Sequence, residues 1–383
     1  MKKNVVILGS TGSVGCNAVA VALSLRDRIK VSAIVAGGNN IELLAEQAKK
    51  LGCTKVVTAT HESLPKLQLC SNGIITAAGA EAIIELVSDP QVDLIVSATV
   101  GSDSLLPILK AIQAGKDIAL ATKEVMVMAG ELIMSEAAKS GSHIIPLDSE
   151  HSAIYQCLAG QRKNEVEKLI LTASGGPFLN SSAAEIRQAT YEQALAHPTW
   201  DMGPKNTIDS ASMMNKALEV IEAKYLFDVT PETIEVIIHP QSVIHSMIEF
   251  VDGAMLAQLS VPDMQFPIQY AYTWPERVPG IMERLDFLKY PELTFKIPDR
   301  QRFPALDLAD AALHAGGTMP TVFNAANEVA VELFSQHKIK FHQIWAIVEK
   351  TMAKHQVQQK PALNEILAAG DWAAKIARAV CNT

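Results

Sequence analysis

Three glycines spaced by three, Gly9, Gly12 and Gly15, lie directly behind a short apolar run, Asn4–Leu8. The loop reads Gly9-Ser10-Thr11-Gly12-Ser13-Val14-Gly15 and opens the helical segment Ser13–Ser24, which is followed by a second apolar run, Lys30–Ala36. Strand, glycine turn, helix, strand is a βαβ unit. Glycines at such a turn let backbone amides approach a pyrophosphate, and the helix N-terminus behind them favours its charge. The spacing is Gly-x-x-Gly-x-x-Gly instead of the commoner Gly-x-Gly-x-x-Gly, so the position after the first strand carries the reading.

The alternation continues. Helix Ile41–Leu51, strand Lys55–Thr58, a helix near Glu81–Val87, strand Leu94–Ser97, helix Leu105–Ala114, strand Asp117–Leu120, helix Glu124–Ser140 and strand His143–Pro146 predict a parallel sheet covered on both faces. The fold class is α/β: an N-terminal Rossmann-like domain over residues 1–147, then an α+β domain over 148–285 that carries the candidate chemistry. A connecting arm over 286–304 and a C-terminal helical bundle over 305–383 complete it.

The middle of the chain has a different grammar. Strand Lys168–Thr172 leads into Ser174-Gly175-Gly176-Pro177, and His197-Pro198-Thr199-Trp200-Asp201-Met202-Gly203-Pro204 has the composition of a mobile lid. One long helix is expected over Ser210–Phe227. Strands Ile234–Ile238, His245–Phe250 and Ala254–Leu259 follow, the last two joined by an Asp252-Gly253 turn. The segment Trp274–Pro304 is punctuated by proline, and Leu306–Ala379 is helical by period, with breaks at Gly316-Gly317 and near Lys360-Pro361.

With 383 residues, 49% of them hydrophobic and 19% charged, the chain suits a multidomain globular enzyme. A net charge of −8 argues against nucleic acid as a partner. The apolar run at the N-terminus stops at Gly9 without a cleavage signature, and no stretch approaches a membrane span, so a cytoplasmic protein is expected. Five scattered cysteines, Cys16, Cys53, Cys70, Cys157 and Cys381, fit reduced thiols, with Cys157 a buried helix filler.

The second strand ends in Ala36-Gly37-Gly38-Asn39-Asn40. NAD-specific folds place an acid there for the ribose hydroxyl. None is present, so NADPH is expected over NADH.

Asp148 and Glu150 stand two apart at a strand end, where both side chains can point the same way. Glu219 is a third carboxylate. Grouped carboxylates repel one another unless a cation joins them, and an oxygen-only set suits Mg²⁺ or Mn²⁺. By spacing alone a second reading is equally good, with Asp148 or Ser149 capping the next helix and Glu150 solvated in its first turn. The Ser210–Phe227 segment favours the metal: Asn215, Lys216 and Glu219 share a helix face, so donors suited to a phosphate sit beside an acid. Ser174-Gly175-Gly176 adds a hydroxyl and amides. Of His151, His197, His239 and His245, the one in the lid, His197, beside Trp200, is the best candidate for a substrate contact.

Taken together, these segments closely resemble the 1-deoxy-D-xylulose 5-phosphate reductoisomerase family. The resemblance runs through Gly9–Gly15, Ala121-Thr122-Lys123-Glu124, Pro146–Ile154, Ser174–Phe178, His197–Gly203, Asp209–Glu222, His239–Ser246 and Asn324–Glu328. It implies a V-shaped homodimer that rearranges 1-deoxy-D-xylulose 5-phosphate and reduces it with NADPH to 2-C-methyl-D-erythritol 4-phosphate, in non-mevalonate isoprenoid precursor synthesis. Asp148, Glu150 and Glu219 would hold the metal, and Ser174, Ser210, Asn215 and Lys216 the phosphate. Lys123 and Ser149 would contact the substrate backbone, with His197 and Trp200 closing over it. Lys123, Glu150 and His197 are the catalytic candidates, Glu150 and Glu219 also reaching the substrate. Thr11, Gly12, Ser13, Val14, Gly38, Asn39, Asn40, Thr122, Glu124 and Gly203 fall at cofactor positions. Thr122 replaces a usual asparagine, Asp201 a frequent serine, Pro204 a frequent arginine, and Asn39 an often basic residue. A simple NADP dehydrogenase of a phosphorylated small molecule, or a non-catalytic NADP-binding protein, remain as alternatives.

Overall fold

The computed structural model describes residues 2–71, 73–200 and 202–381, in two compact units. The first comprises residues 1–125, 133–152 and 263–283, and the second residues 126–132, 153–262 and 284–383.

In the first unit the apolar runs become seven parallel strands: β1 (Lys3–Leu8), β2 (Ile29–Ala36), β3 (Lys55–Thr58), β4 (Ile75–Ala78), β5 (Leu94–Ser97), β6 (Asp117–Leu120) and β7 (Ile144–Pro146). Their order is β4-β3-β2-β1-β5-β6-β7. The chain therefore reverses direction across the sheet next to β1, and in open α/β sheets ligands bind beyond the strand ends at such a point. Val5, Val6 and Ile7 of the central strand are fully buried, each side chain contributing roughly 1.5–3 kcal/mol of burial. Helix Leu64–Cys70 and the edge strand β4 were not anticipated from the sequence. Helix Gln265–Thr273 also belongs here: it packs on helix Ser13–Ser24, where the Tyr272 hydroxyl donates to Ala18 O at 3.0 Å.

The second unit holds a four-stranded sheet of β8 (Val166–Ala173), β9 (Ile234–Ile238), β10 (Ile244–Phe250) and β11 (Met255–Leu259), ordered β11-β10-β8-β9. The β10 pairings are antiparallel, as expected, while β8 and β9 run parallel. The C-terminal part forms helices Ala305–Ala315, Met319–Ser335, Gln343–Ala353 and Leu363–Val380. Phe341 wedges among them, edge-on to Phe334 at 5.4 Å and to Trp345 at 5.5 Å. Gly317 makes the first break: its φ is +50°, and a Cβ would lie 2.2 Å from Gln358 O.

The expected Ser210–Phe227 helix is in fact two. Pro204 starts the first early, at the position where a missing N–H costs nothing, giving Pro204–Ala211. Met213 then turns left-handed, with φ 61°, and Met214–Phe227 continues in a new direction.

Candidate functional site

The glycine loop lies at the C-terminal end of β1. Gly9 and Ser10 donate their amides to Val35 O at 2.8 and 3.0 Å, and Gly12 donates to Gly9 O at 3.1 Å. A Cβ on Gly9 would stand 2.5 Å from Ala98 O, and one on Gly15 only 2.0 Å from Gly9 O, whereas at Gly12 the nearest atom is 3.4 Å away. The outer two glycines therefore shape the loop. Gly12 and Ser13 lie open to solvent at the start of helix Ser13–Ser24, with Thr11 and Val14 half-buried beside them. The loop is braced from behind, where Gln47 Nε2 donates to Ser10 O at 2.9 Å.

Past β2, Gly38 has φ +106° and sits against Ser63, leaving no room for a side chain. Asn39 is exposed. Asn40 caps helix Ile41–Leu51, its Oδ1 accepting from Leu43 N at 3.1 Å, so its side chain already has a structural task. Thr122 is buried and central to a hydroxyl cluster. It donates to Thr99 O at 2.9 Å and lies 2.8 Å from Ser97 Oγ and 3.1 Å from Thr99 Oγ1. It thereby ties the loop after β5 to the one after β6, just ahead of helix Lys123–Ser140, on which Glu124 is buried.

At the end of β7, Asp148 precedes helix Ser149–Leu158. Its Oδ1 accepts from Glu150 N at 3.3 Å, a capping contact of the kind the second sequence reading anticipated. Its Oδ2 meets Lys123 Nζ at 2.6 Å with both side chains largely buried. His151 Nδ1 stands 3.6 Å from Asp148 Oδ1, and the Ser149 hydroxyl donates to Glu150.

In the second unit β8 ends at Ala173 and delivers Ser174. Ser174 Oγ accepts from Gly176 N at 3.2 Å and faces His197 Nε2. The loop packs directly on Ser210, since a Cβ on Gly176 would lie 2.9 Å from Ser210 O. Beyond the Met213 turn, Asn215 and Lys216 both donate to the buried Glu219 carboxylate. Gly203 is the exposed N-cap of helix Pro204–Ala211. Asp201 lies outside the described residues.

Each unit supplies acids of the candidate set, Asp148 and Glu150 from the first and the buried Glu219 from the second. This is a hard, oxygen-only set of the sort that suits Mg²⁺ or Mn²⁺. The capping contact uses one oxygen of Asp148 while the other meets Lys123, so capping does not exhaust the carboxylate's acceptors.

Two of the remaining histidines have structural partners. His239 stacks on Phe295 at 5.0 Å, accepts from Val243 N at 3.2 Å and lies 3.0 Å from Thr294 O; His245 Nε2 lies 2.8 Å from Ser260 Oγ. Sequence reasoning missed Asp209 and Asn327, which meet at 2.9 Å in the interior. A contact across so long a stretch of chain leaves no local signal.

Family profiles described as 1-deoxy-D-xylulose 5-phosphate reductoisomerase match residues 5–130, and those for its C-terminal domains match residues 144–227 and 259–376. The 1-deoxy-D-xylulose 5-phosphate reductoisomerase of Pelodictyon phaeoclathratiforme is 50% identical over 378 residues, 98% of this chain and 99% of its own. The chain belongs to the 1-deoxy-D-xylulose 5-phosphate reductoisomerase family. Among solved structures, the Zymomonas mobilis reductoisomerase in complex with NADPH superposes with a TM-score of 0.94 at 40% identity, covering 100% of both chains. A reductoisomerase bound to NADPH, fosmidomycin and magnesium gives 0.93 at 38% identity, covering 99% of this chain and 98% of that one.

Proposed function

We propose that the protein is a 1-deoxy-D-xylulose 5-phosphate reductoisomerase: it rearranges the deoxyketose phosphate and reduces the product to 2-C-methyl-D-erythritol 4-phosphate, a step of isoprenoid precursor synthesis. The observation that carries the reading is the match to a reductoisomerase at 50% identity over 98% of the chain, and Asp148, Glu150 and Glu219 are its proposed carboxylate cluster. A simple dehydrogenase needs no such cluster, and a cofactor-binding protein without activity needs no phosphate grip.

The donor set fits a divalent cation held by Asp148, Glu150 and Glu219, and the loop at Gly9–Gly15 fits a dinucleotide pyrophosphate. When bound, the cation supplies Lewis acidity to the substrate's ketone and hydroxyl oxygens, and NADPH supplies the hydride. Thr11, Gly12, Ser13, Val14, Gly38, Asn39, Asn40, Thr122, Glu124 and Gly203 line the cofactor's path.

The chain's own residues do the rest. Ser174, Ser210, Asn215 and Lys216 hold the phosphate, the part of the substrate far from the reacting carbons, so its binding energy can serve lid closure and water exclusion. Lys123, held at Asp148, presents positive charge to the substrate oxygens together with the Ser149 hydroxyl. Glu150 orients the substrate hydroxyls and is placed to relay a proton. His197 and Trp200 close over the substrate from the segment following helix Tyr191–Leu195.

Two copies of the chain are proposed to associate through the edge strand β11, where Met255 and Leu256 are exposed. No helix among the described residues is long and apolar enough to cross a membrane. The five free cysteines fit a reducing cytoplasm.

The test is NADPH oxidation, followed by absorbance, with 1-deoxy-D-xylulose 5-phosphate, with and without EDTA. Turnover abolished by the chelator and restored by Mg²⁺ or Mn²⁺ is expected. Turnover insensitive to EDTA would favour the simple dehydrogenase.

A further inference from the structure

The phosphate grip proposed above is split by the Met213 turn: Ser210 lies on one helix, Asn215 and Lys216 on the next. Their relative placement depends on what holds that turn, and left-handed backbone at a methionine is itself unfavourable.

The C-terminal helices hold it at two points. Asp209, fully buried in the last turn of helix Pro204–Ala211, accepts from Asn327 Nδ2 at 2.9 Å, and Asn327 is fully buried on helix Met319–Ser335. The second Asp209 oxygen lies 2.9 Å from Lys205 Nζ, one turn earlier on its own helix. Three residues later, Ser212 O accepts from Trp345 Nε1 at 3.0 Å. The Trp345 ring is fixed edge-on between Phe341 and Phe303. Ser210 therefore stands between two anchored neighbours. It cannot retreat on its other side, because Gly176 packs against its carbonyl.

We infer that Asn327, acting through Asp209, is a positioning residue for the Ser210 hydroxyl, and that the C-terminal helical segment thereby sets the enzyme's affinity for the substrate phosphate. The physical reason is the cost of the alternative. A buried carboxylate deprived of a neutral donor must turn toward another donor or admit water, and either moves the helix end that carries Ser210. Trp345 serves the same end more weakly, since its partner is a neutral carbonyl at the rim of the turn.

The inference rests on the proposed phosphate role of Ser210, so the test separates the two. Full-length wild type, Asn327→Ser, Trp345→Phe, Ser210→Ala and the double variant Ser210→Ala with Asn327→Ser are compared. Affinity for inorganic phosphate is read from thermal protection, and KM is measured for the deoxyxylulose phosphate and for NADPH. Asn327→Ser is expected to weaken phosphate and raise the sugar-phosphate KM by about tenfold, the worth of one net hydrogen bond. The KM for NADPH stays unchanged. Trp345→Phe, which keeps the ring packing, shifts the same two quantities in the same direction by less.

In the double variant the loss is expected to match that of Ser210→Ala alone, because a residue acting through Ser210 has nothing left to act on. A lower melting temperature with phosphate affinity and KM unchanged would make Asn327 purely structural. Multiplying losses in the double variant would show that it does not work through Ser210. If Ser210→Ala itself leaves phosphate affinity intact, the inference falls, whatever the wild type turns over. If wild type binds phosphate through Ser210 but does not oxidise NADPH with the sugar phosphate, the functional reading falls and the positioning role stands.

Discussion

The imidazole of His197 lies 3.1 Å from the hydroxyl of Ser174, with Nε2 facing Oγ. Its other nitrogen, Nδ1, accepts from Thr199 N at 3.1 Å and Trp200 N at 2.9 Å. Two amides aimed at Nδ1 place the ring proton on Nε2, so the ring donates to Ser174. The serine oxygen also accepts from Gly176, leaving its own proton to donate outward, the polarity a phosphate oxygen requires. His197 and Ser174, read separately in the sequence as candidate lid and phosphate contacts, are thus one hydrogen-bonded unit.

That unit predicts an acid sensitivity. Burial pulls the His197 imidazole down to about 4. In the unfolded chain an imidazole titrates near ~6.5. Between those values the unfolded chain binds a proton that the folded chain does not. The contribution of the neutral ring is complete above the unfolded value, shrinks as pH falls toward the folded one, and changes no further below it. His197→Asn should flatten this part of the pH profile. Urea unfolding of both proteins across the window checks it, and parallel curves would mean that the ring is solvated in the folded protein.

The glycine loop predicts unequal tolerance. Gly15→Ala drives a Cβ to 2.0 Å from Gly9 O, whereas Gly12→Ala meets its nearest atom at 3.4 Å. The first is expected to cost more than about 2 kcal/mol, in the range of overpacked sites, and to weaken NADPH binding. The second should fold normally. Its NADPH affinity then reports whether the cofactor approaches Gly12 closely enough to exclude a methyl group. Denaturation midpoints and fluorescence titration with NADPH measure both effects.

Thr122 predicts a loss of a different kind. Valine keeps the shape but deletes the hydroxyl that joins Ser97 to the Thr99 carbonyl in a buried setting. The Thr122→Val variant should lose about 1–3 kcal/mol, the cost of unsatisfied buried polar groups. Urea unfolding is the measure. A neutral result would mean that water replaces the hydroxyl.

Where the signal was local, the sequence was legible. Apolar runs alternating with helical periods marked the parallel sheet, and Asp148 was legible as a cap, although Glu150 lies in the first turn of helix Ser149–Leu158 and not, as the spacing suggested, on the strand end. The capping boxes at Ser182 with Glu185 and Thr190 with Gln193, which start two short helices, stand in the sequence as Ser-x-x-Glu and Thr-x-x-Gln. The Met213 turn was not legible. Neither glycine nor proline marks it, and Met-Met suits a continuous helix. What breaks that helix is tertiary, including the pull of Trp345 on Ser212 O. The edge strand β4 escaped for the opposite reason, being short and only partly buried.

Glu219 gives the most direct trial of the proposed metal site. Its carboxylate is buried and already accepts from Asn215 and Lys216, so two positive or partly positive donors occupy the place a cation would reinforce. Replacing it with glutamine removes the charge but retains an oxygen and the approximate shape. The buried Lys216 ammonium then loses the Glu219 charge, and a stability loss of up to about 3–5 kcal/mol is expected from breaking such a pair. Loss of activity alone would therefore be ambiguous. NADPH binding supplies the control, because the glycine loop draws on other residues. The expected outcome is a folded variant that binds NADPH like wild type, binds Mn²⁺ weakly by electron paramagnetic resonance, and turns over roughly 100-fold slower or worse, at or beyond the upper end of second-shell losses at metal sites. Mn²⁺ affinity equal to wild type would remove Glu219 from the metal site.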